Sequence, residues 1–143
     1  MQVQYSLKLG GCAGSHPAGS VQFRNVGDKD RNEGAPNVVT IALCASHPGS
    51  FLSLSGGACQ GQPHSQTRFR NVAKDDVGEG APTYVSMSLC ERGPVNKKYR
   101  LTATGPCPST MAQLSRVQFK NVGDNDRNEG APNVVVVRLC GQQ

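Results

Sequence analysis

The chain has 143 residues, a formal net charge of +5, six Cys and no Trp. An apolar content of 36%, with seventeen Gly and nine Pro, fits a loop-rich β protein and excludes one large helical core. No apolar run approaches the ~18 residues of a membrane span, and the opening "MQVQYSLKL" lacks the basic start and apolar block of a signal peptide.

In chain order, the first expected strand is "YSLKL" (Tyr5 to Leu9), with "FLSL" (Phe51 to Leu54) and "YRLTA" (Tyr99 to Ala103) as later counterparts. "VQFRNV" from Val21 comes second. The third strand is "NVVTIAL", then "TYVSMSL", then "NVVVVRL". It alternates with period two. Val39, Ile41 and Leu43 share one face, as do Val85, Met87 and Leu89, and Val135, Val137 and Leu139. Thr40, Ser86, Ser88 and Arg138 take the other, as in a strand with one buried side. No stretch has helical periodicity.

The strands recur because the sequence does. "VQFRNVGDKDRNEGAPNVVTIALC" (Val21 to Cys44), "TRFRNVAKDDVGEGAPTYVSMSLC" (Thr67 to Cys90) and "VQFKNVGDNDRNEGAPNVVVVRLC" (Val117 to Cys140) align without gaps, at spacings of 46 and then 50 residues. The repeats span 1–46, 47–93 and 94–143. The expected fold is therefore mainly β: three tandem, disulfide-stapled antiparallel β modules of about 46 residues, packed around a pseudo-threefold axis. A β-trefoil is the structural alternative. It needs four strands per repeat, and the pattern yields three.

Cysteine keeps the same rhythm, two per repeat. An even count at regular spacing in small units reads as a disulfide framework. The repeat favours Cys12–Cys44, Cys59–Cys90 and Cys107–Cys140, separated by 32, 31 and 33 residues. Closing such a loop contributes ~3.7 kcal/mol in the chain-entropy model, which matters for a unit near the size at which a core alone is marginal. A zinc site needs close ligand pairs such as C-x2-C, and none exists. The disulfides imply an oxidising compartment, hence a secreted protein.

The polar passage between the second and third strands carries the charge. Nine of the ten Asp and Glu lie in its three copies: Asp28, Asp30, Glu33, Asp75, Asp76, Glu79, Asp124, Asp126 and Glu129, with only Glu91 elsewhere. Part of the repetition is architectural. Gly34, Gly80 and Gly130 can take positive φ, and Pro36, Pro82 and Pro132 hold the preceding Ala extended and launch the third strand. Phe23, Phe69 and Phe119 are expected in the core. Asn25, Asn71 and Asn121 share their parity and are expected to point inward and tie down the loop. The Glu before the Gly has no such architectural need.

Calcium does not fit the passage. "DKDRNEG" sets Asp28, Asp30 and Asn32 at alternate positions, as an EF-hand does. Glu33 then stands where the sharp-turn Gly belongs and Val39 where the bidentate Glu belongs, and Lys74 replaces the first ligand in the second copy. Catalysis is weaker still: His16, His47 and His64 recur at no common offset, and no nucleophile motif is present. No metal, cofactor or enzyme activity is expected. Three copies of a shallow acidic site suit multivalent binding instead. Ionised Asp and Glu accept hydrogen bonds from sugar hydroxyls, and repetition raises avidity by ~10²–10⁴ when geometry allows. Nucleic acid is disfavoured, since the basic residues lack interleaved aromatics.

A Cys followed by an "HP" step ("CAGSHPAG", Cys12 to Gly19), then "FRN", "NEGAPN" and a strand closing on "LC", three times over, resembles the galactose- and galacturonic-acid-binding egg lectins of sea hares. The resemblance covers essentially the whole chain. It implies a secreted, dimeric lectin that agglutinates cells through galactose-containing glycoconjugates, without calcium and without inserting into membranes. It further implies a first site of His16, Asp30, Asn32 and Glu33, and a second of His64, Asp76 and Glu79. A third would comprise Asp126, Asn128 and Glu129. The copies differ: His64 follows its Pro where His16 precedes one, Gly78 replaces Asn in the second, and the third has no His. Equal affinity is therefore not expected. A secreted protein that binds other proteins, such as a protease inhibitor or an egg-coat component, is the competing reading.

Overall fold

The computed structural model describes residues 3–25, 38–72, 81–103, 105–121 and 134–142. Regular structure among them is strand throughout, three strands to each repeat. The first repeat holds β1 (Tyr5–Leu9), β2 (His16–Arg24) and β3 (Val38–Ala45); the second holds β4 (Leu52–Ser55), β5 (Pro63–Arg70) and β6 (Tyr84–Glu91); the third holds β7 (Tyr99–Thr102), β8 (Met111–Lys120) and β9 (Val134–Gln142). The class is mainly β, as the patterning implied. The described strands stop short of the four per repeat that a β-trefoil requires.

In each repeat the third strand is the middle one. It pairs antiparallel with the first and second strands on its two edges, giving the orders β1-β3-β2, β4-β6-β5 and β7-β9-β8. This placement follows from composition, since the β-branched, apolar third strand best tolerates neighbours on both edges. Its apolar face is the core: all nine residues assigned to it are buried. Ser88 departs from the expected pattern and is buried on the opposite face. There the segment Gly56–Ala58, ahead of Cys59, lines a hollow together with Ser88.

The second strands begin earlier than the hydrophobic pattern indicated, at His16, Pro63 and Met111. Pro and Gly near their starts read as turn signals. In the structure a register shift absorbs them, between Pro17 and Ser20, between Pro63 and Ser65, and between Gln113 and Ser115. An extra residue in a strand increases local twist without ending the pairing. The first strand of the second repeat starts one residue late, leaving Phe51 half-exposed.

The cysteines pair within repeats: Cys12–Cys44, Cys59–Cys90 and Cys107–Cys140, with Cα–Cα distances of 5.6, 5.6 and 5.8 Å. Each staple ties the middle strand to the segment preceding the second strand. No free cysteine is left.

One hydrophobic cluster draws on all three repeats. Three short strands bury one face only and cannot close a core alone, so the repeats share theirs. At its centre Phe23, Phe69 and Phe119 meet pairwise, with ring centroids 5.5, 5.5 and 5.7 Å apart. Near-equal separations mean that the three rings surround a common pseudo-threefold axis.

Neighbouring repeats also meet pairwise at seams. Gly19 pairs in parallel with Leu54 of the second repeat. At the same distance before the core Phe stand Ser65 and Ser115. The Ser65 hydroxyl accepts the Leu101 amide at 3.1 Å, and the Ser115 hydroxyl accepts the Leu7 amide at 2.9 Å. Each repeat thus holds the first strand of the next, and the third holds that of the first.

Candidate functional site

The three polar passages start from one place. Asn25, Asn71 and Asn121, the last described residues or nearly so before each passage, lie two residues beyond the core Phe and on the same strand face. They are buried, as their parity implied. Rather than tying down only its own loop, each side chain reaches the next strand around the axis. Asn25 Nδ2 donates to Lys120 O at 2.6 Å, Asn71 Nδ2 to Arg24 O at 2.9 Å, and Asn121 Nδ2 to Arg70 O at 2.9 Å. The accepting carbonyl always belongs to the residue immediately before an Asn of the set, so the bonds form a closed ring. Asn71 adds a bond to Pro82 O at 3.1 Å, across the base of its own loop.

The ring fixes the roots of all three acidic passages at one end of the molecule. The candidate residues Asp30, Asn32, Glu33, Asp76, Glu79, Asp126, Asn128 and Glu129 lie outside the described residues. The two candidate histidines are described, and both stand toward the other end of their strands. His16 opens the nine-residue β2 and is exposed, about 30 Å of extended chain from Asn25 at ~3.3 Å per residue.

His64 occupies the register shift of β5, where the other repeats have Ala18 and Leu114. It is partly buried at the seam between the second and third repeats. Its Nε2 accepts the Tyr99 amide at 3.0 Å, and its Nδ1 lies 3.8 Å from Glu91 Oε1. With Nε2 taken by the amide, Nδ1 is the ring nitrogen turned toward the carboxylate. Glu91, the one acid outside the loops, is thereby accounted for. Tyr99 packs edge-on against Tyr5 at 5.4 Å. Burial, and secondarily the Tyr5 phenol beside it, push the Tyr99 hydroxyl above its ordinary value of 10.0.

Two concavities lie elsewhere on the described surface. A cleft of about 220 Å³ opens between Tyr5, Phe51, Val95 and Tyr99. A shallower hollow of about 490 Å³ is lined by Gln66, Arg68, Ser86 and Ser88, and beside it the Arg68 guanidinium lies 4.5 Å over the Tyr84 ring. No group of three or more His, Cys, Asp or Glu able to hold a metal occurs among the described residues.

The seam residues Gly19, Ser65 and Ser115 escaped the sequence reading. Their signal was present: the spacings of 46 and 50 residues that align the blocks also superpose these three positions. No known family model, curated protein or solved structure matches the chain.

Proposed function

We propose that the protein is a secreted, calcium-independent lectin that binds galactose-type sugars, galacturonate included, at three sites built from the acidic passages, and that it agglutinates cells as a dimer. One observation carries the reading: three passages that repeat Asp and Glu at a fixed spacing start from residues held in one hydrogen-bonded ring. Common roots give repeated weak sites a fixed mutual geometry, the condition under which avidity exceeds single-site affinity. The three disulfides fit the extracellular setting.

Calorimetric titration of galactose and galacturonate tests the reading, run in EDTA on the native chain and on Glu33→Gln, Glu79→Gln and Glu129→Gln. Each substitution removes one charged acceptor, costing roughly 1.5–3 kcal/mol, a tenfold or greater loss at that site. Agglutination falls in part with each and disappears in the triple variant. Unaltered affinity in all three, with lowered melting temperatures, assigns the Glu to turn architecture instead.

A protein-binding role outside the lectins is favoured by a separate observation, the half-exposed Phe51 at the mouth of the apolar cleft. A glycan array without hits, together with loss of a protein partner on Phe51→Ser, selects that reading.

A further inference from the structure

The asparagine ring leaves three atoms unaccounted for. Asn25, Asn71 and Asn121 are 3%, 1% and 1% exposed, and Oδ1 of each has no hydrogen-bond partner among the described residues. Amide orientation does not explain this. Each Nδ2 faces a main-chain carbonyl, and a flipped amide would set two acceptors against each other. Chance does not explain it either. The other orphaned buried side-chain atoms, Arg24 Nε and Thr102 Oγ1, have no counterparts in the other repeats, whereas this one recurs in all three. A buried acceptor left bare has lost its hydration for nothing, so a recurrent one calls for an occupant.

The surroundings bear on where the three amides lie. The Phe rings two residues earlier encircle the axis, and the Asn side chains leave the same strand faces in the next layer along it. Nδ2 reaches sideways to the neighbouring strand. Oδ1 is the other arm of the same fork, buried and without a partner in all three repeats.

We propose that Oδ1 of Asn25, Asn71 and Asn121 together ligate one alkali-metal cation on the pseudo-threefold axis. The set consists of acceptors alone, so the occupant must supply positive charge or donors. A water has two protons and leaves one of three equivalent oxygens bare, whereas a cation serves all three alike. Neutral amide oxygens are hard ligands that suit a singly charged ion. Calcium and magnesium are ordinarily held by carboxylates. Among the described residues, the basic neighbours in the chain, Arg24, Arg70 and Lys120, give their main-chain carbonyls to the ring, while strand alternation sends their side chains to the opposite face. Arg70 Nε turns back to Val72 O at 3.0 Å.

This site stands apart from the sugar reading and is tested on the unmodified chain. Melting is followed in sodium, potassium, rubidium and choline chloride at equal ionic strength, and anomalous diffraction is collected from rubidium-soaked crystals. The expected result is a melting temperature that rises and saturates with at least one alkali ion, by about 3–4 °C over choline. An anomalous peak equidistant from the three Oδ1 atoms accompanies it. Equal melting in all four salts, a water-sized peak without anomalous signal between the oxygens, or an ion bound away from the axis overturns the proposal.

Discussion

The repeats meet in two ways, and the two contrast. On the axis all three come together at once. There the residues are identical, Phe over Phe and Asn over Asn, and the bonds run the same way round. At the seams they meet two at a time, and each seam is solved differently. The first uses a direct backbone bridge at Gly19. The second uses the Ser65 hydroxyl with His64 beside it. The third uses the Ser115 hydroxyl, which both accepts from the Leu7 amide and donates to the Leu7 carbonyl at 3.3 Å. A side chain on the axis has two copies of itself as neighbours, so one change disturbs two contacts at once. A seam residue answers to one partner, and a compensating change there is enough.

The sharpest way to break this contrast is to empty the axis. Phe69→Ala should cost about 4 kcal/mol, a fall of roughly 12 °C in melting temperature. Phe23→Ala and Phe119→Ala should match it within about 1 kcal/mol. A spread beyond about 2 kcal/mol would mean that the layer is not equally shared. Gly19 comes next. It has φ of +100°, and an added Cβ would lie 2.8 Å from the Leu54 amide nitrogen and closer still to the Leu54 carbonyl oxygen. Gly19→Ser should therefore cost about 3 kcal/mol, even though it installs the residue that the other two repeats carry at this position. A neutral result in a denaturant melt would show that the first seam can adopt the hydroxyl-bridged form.

Smaller effects belong to the hydroxyls. Ser65→Ala and Ser115→Ala each leave a part-buried backbone amide without its acceptor, for about 1–2 kcal/mol. Ser115→Ala should be the costlier, since it loses two bonds. Equal losses would remove the distinction between these seams. The least effect is electrostatic and appears only in alkali. The folded-state value of Tyr99 is raised, so the fold favours the neutral phenol. That contribution is complete below the ordinary value of 10.0 and is lost as pH climbs through the raised one. Melting of the native chain should fall faster above pH ~10 than that of Tyr99→Phe, and parallel curves would show that the phenol stays solvated.

Much of this was legible in the residues. The third strand announced both its type and its buried face, because alternation of Val, Ile and Leu with polar residues has one reading. The disulfides followed from two cysteines per repeat. Parity alone turned Asn25, Asn71 and Asn121 inward. Their partners were not legible, because a hydrogen bond to the backbone of another repeat leaves no trace in residue type: Arg24, Arg70 and Lys120 take part through carbonyls that every residue has. The early starts of β2, β5 and β8 were hidden for a related reason. Pro17 and Pro63 stand where turns are expected, and only tertiary pairing shows that a register shift accommodates them. His64 illustrates the limit for the site. Its contacts with the Tyr99 amide and Glu91 across a seam leave no trace in residue type.

The direction of the asparagine ring has a geometric consequence. Each repeat grips its neighbour with one surface and is gripped on another, an arrangement that in separate chains builds either an endless filament or a ring. Here the asparagine ring closes after three units, with Asn25 of the first bonded to Lys120 O of the third. Nothing in such a circuit distinguishes a beginning, so a permuted chain that opens with the second repeat contains the same contacts.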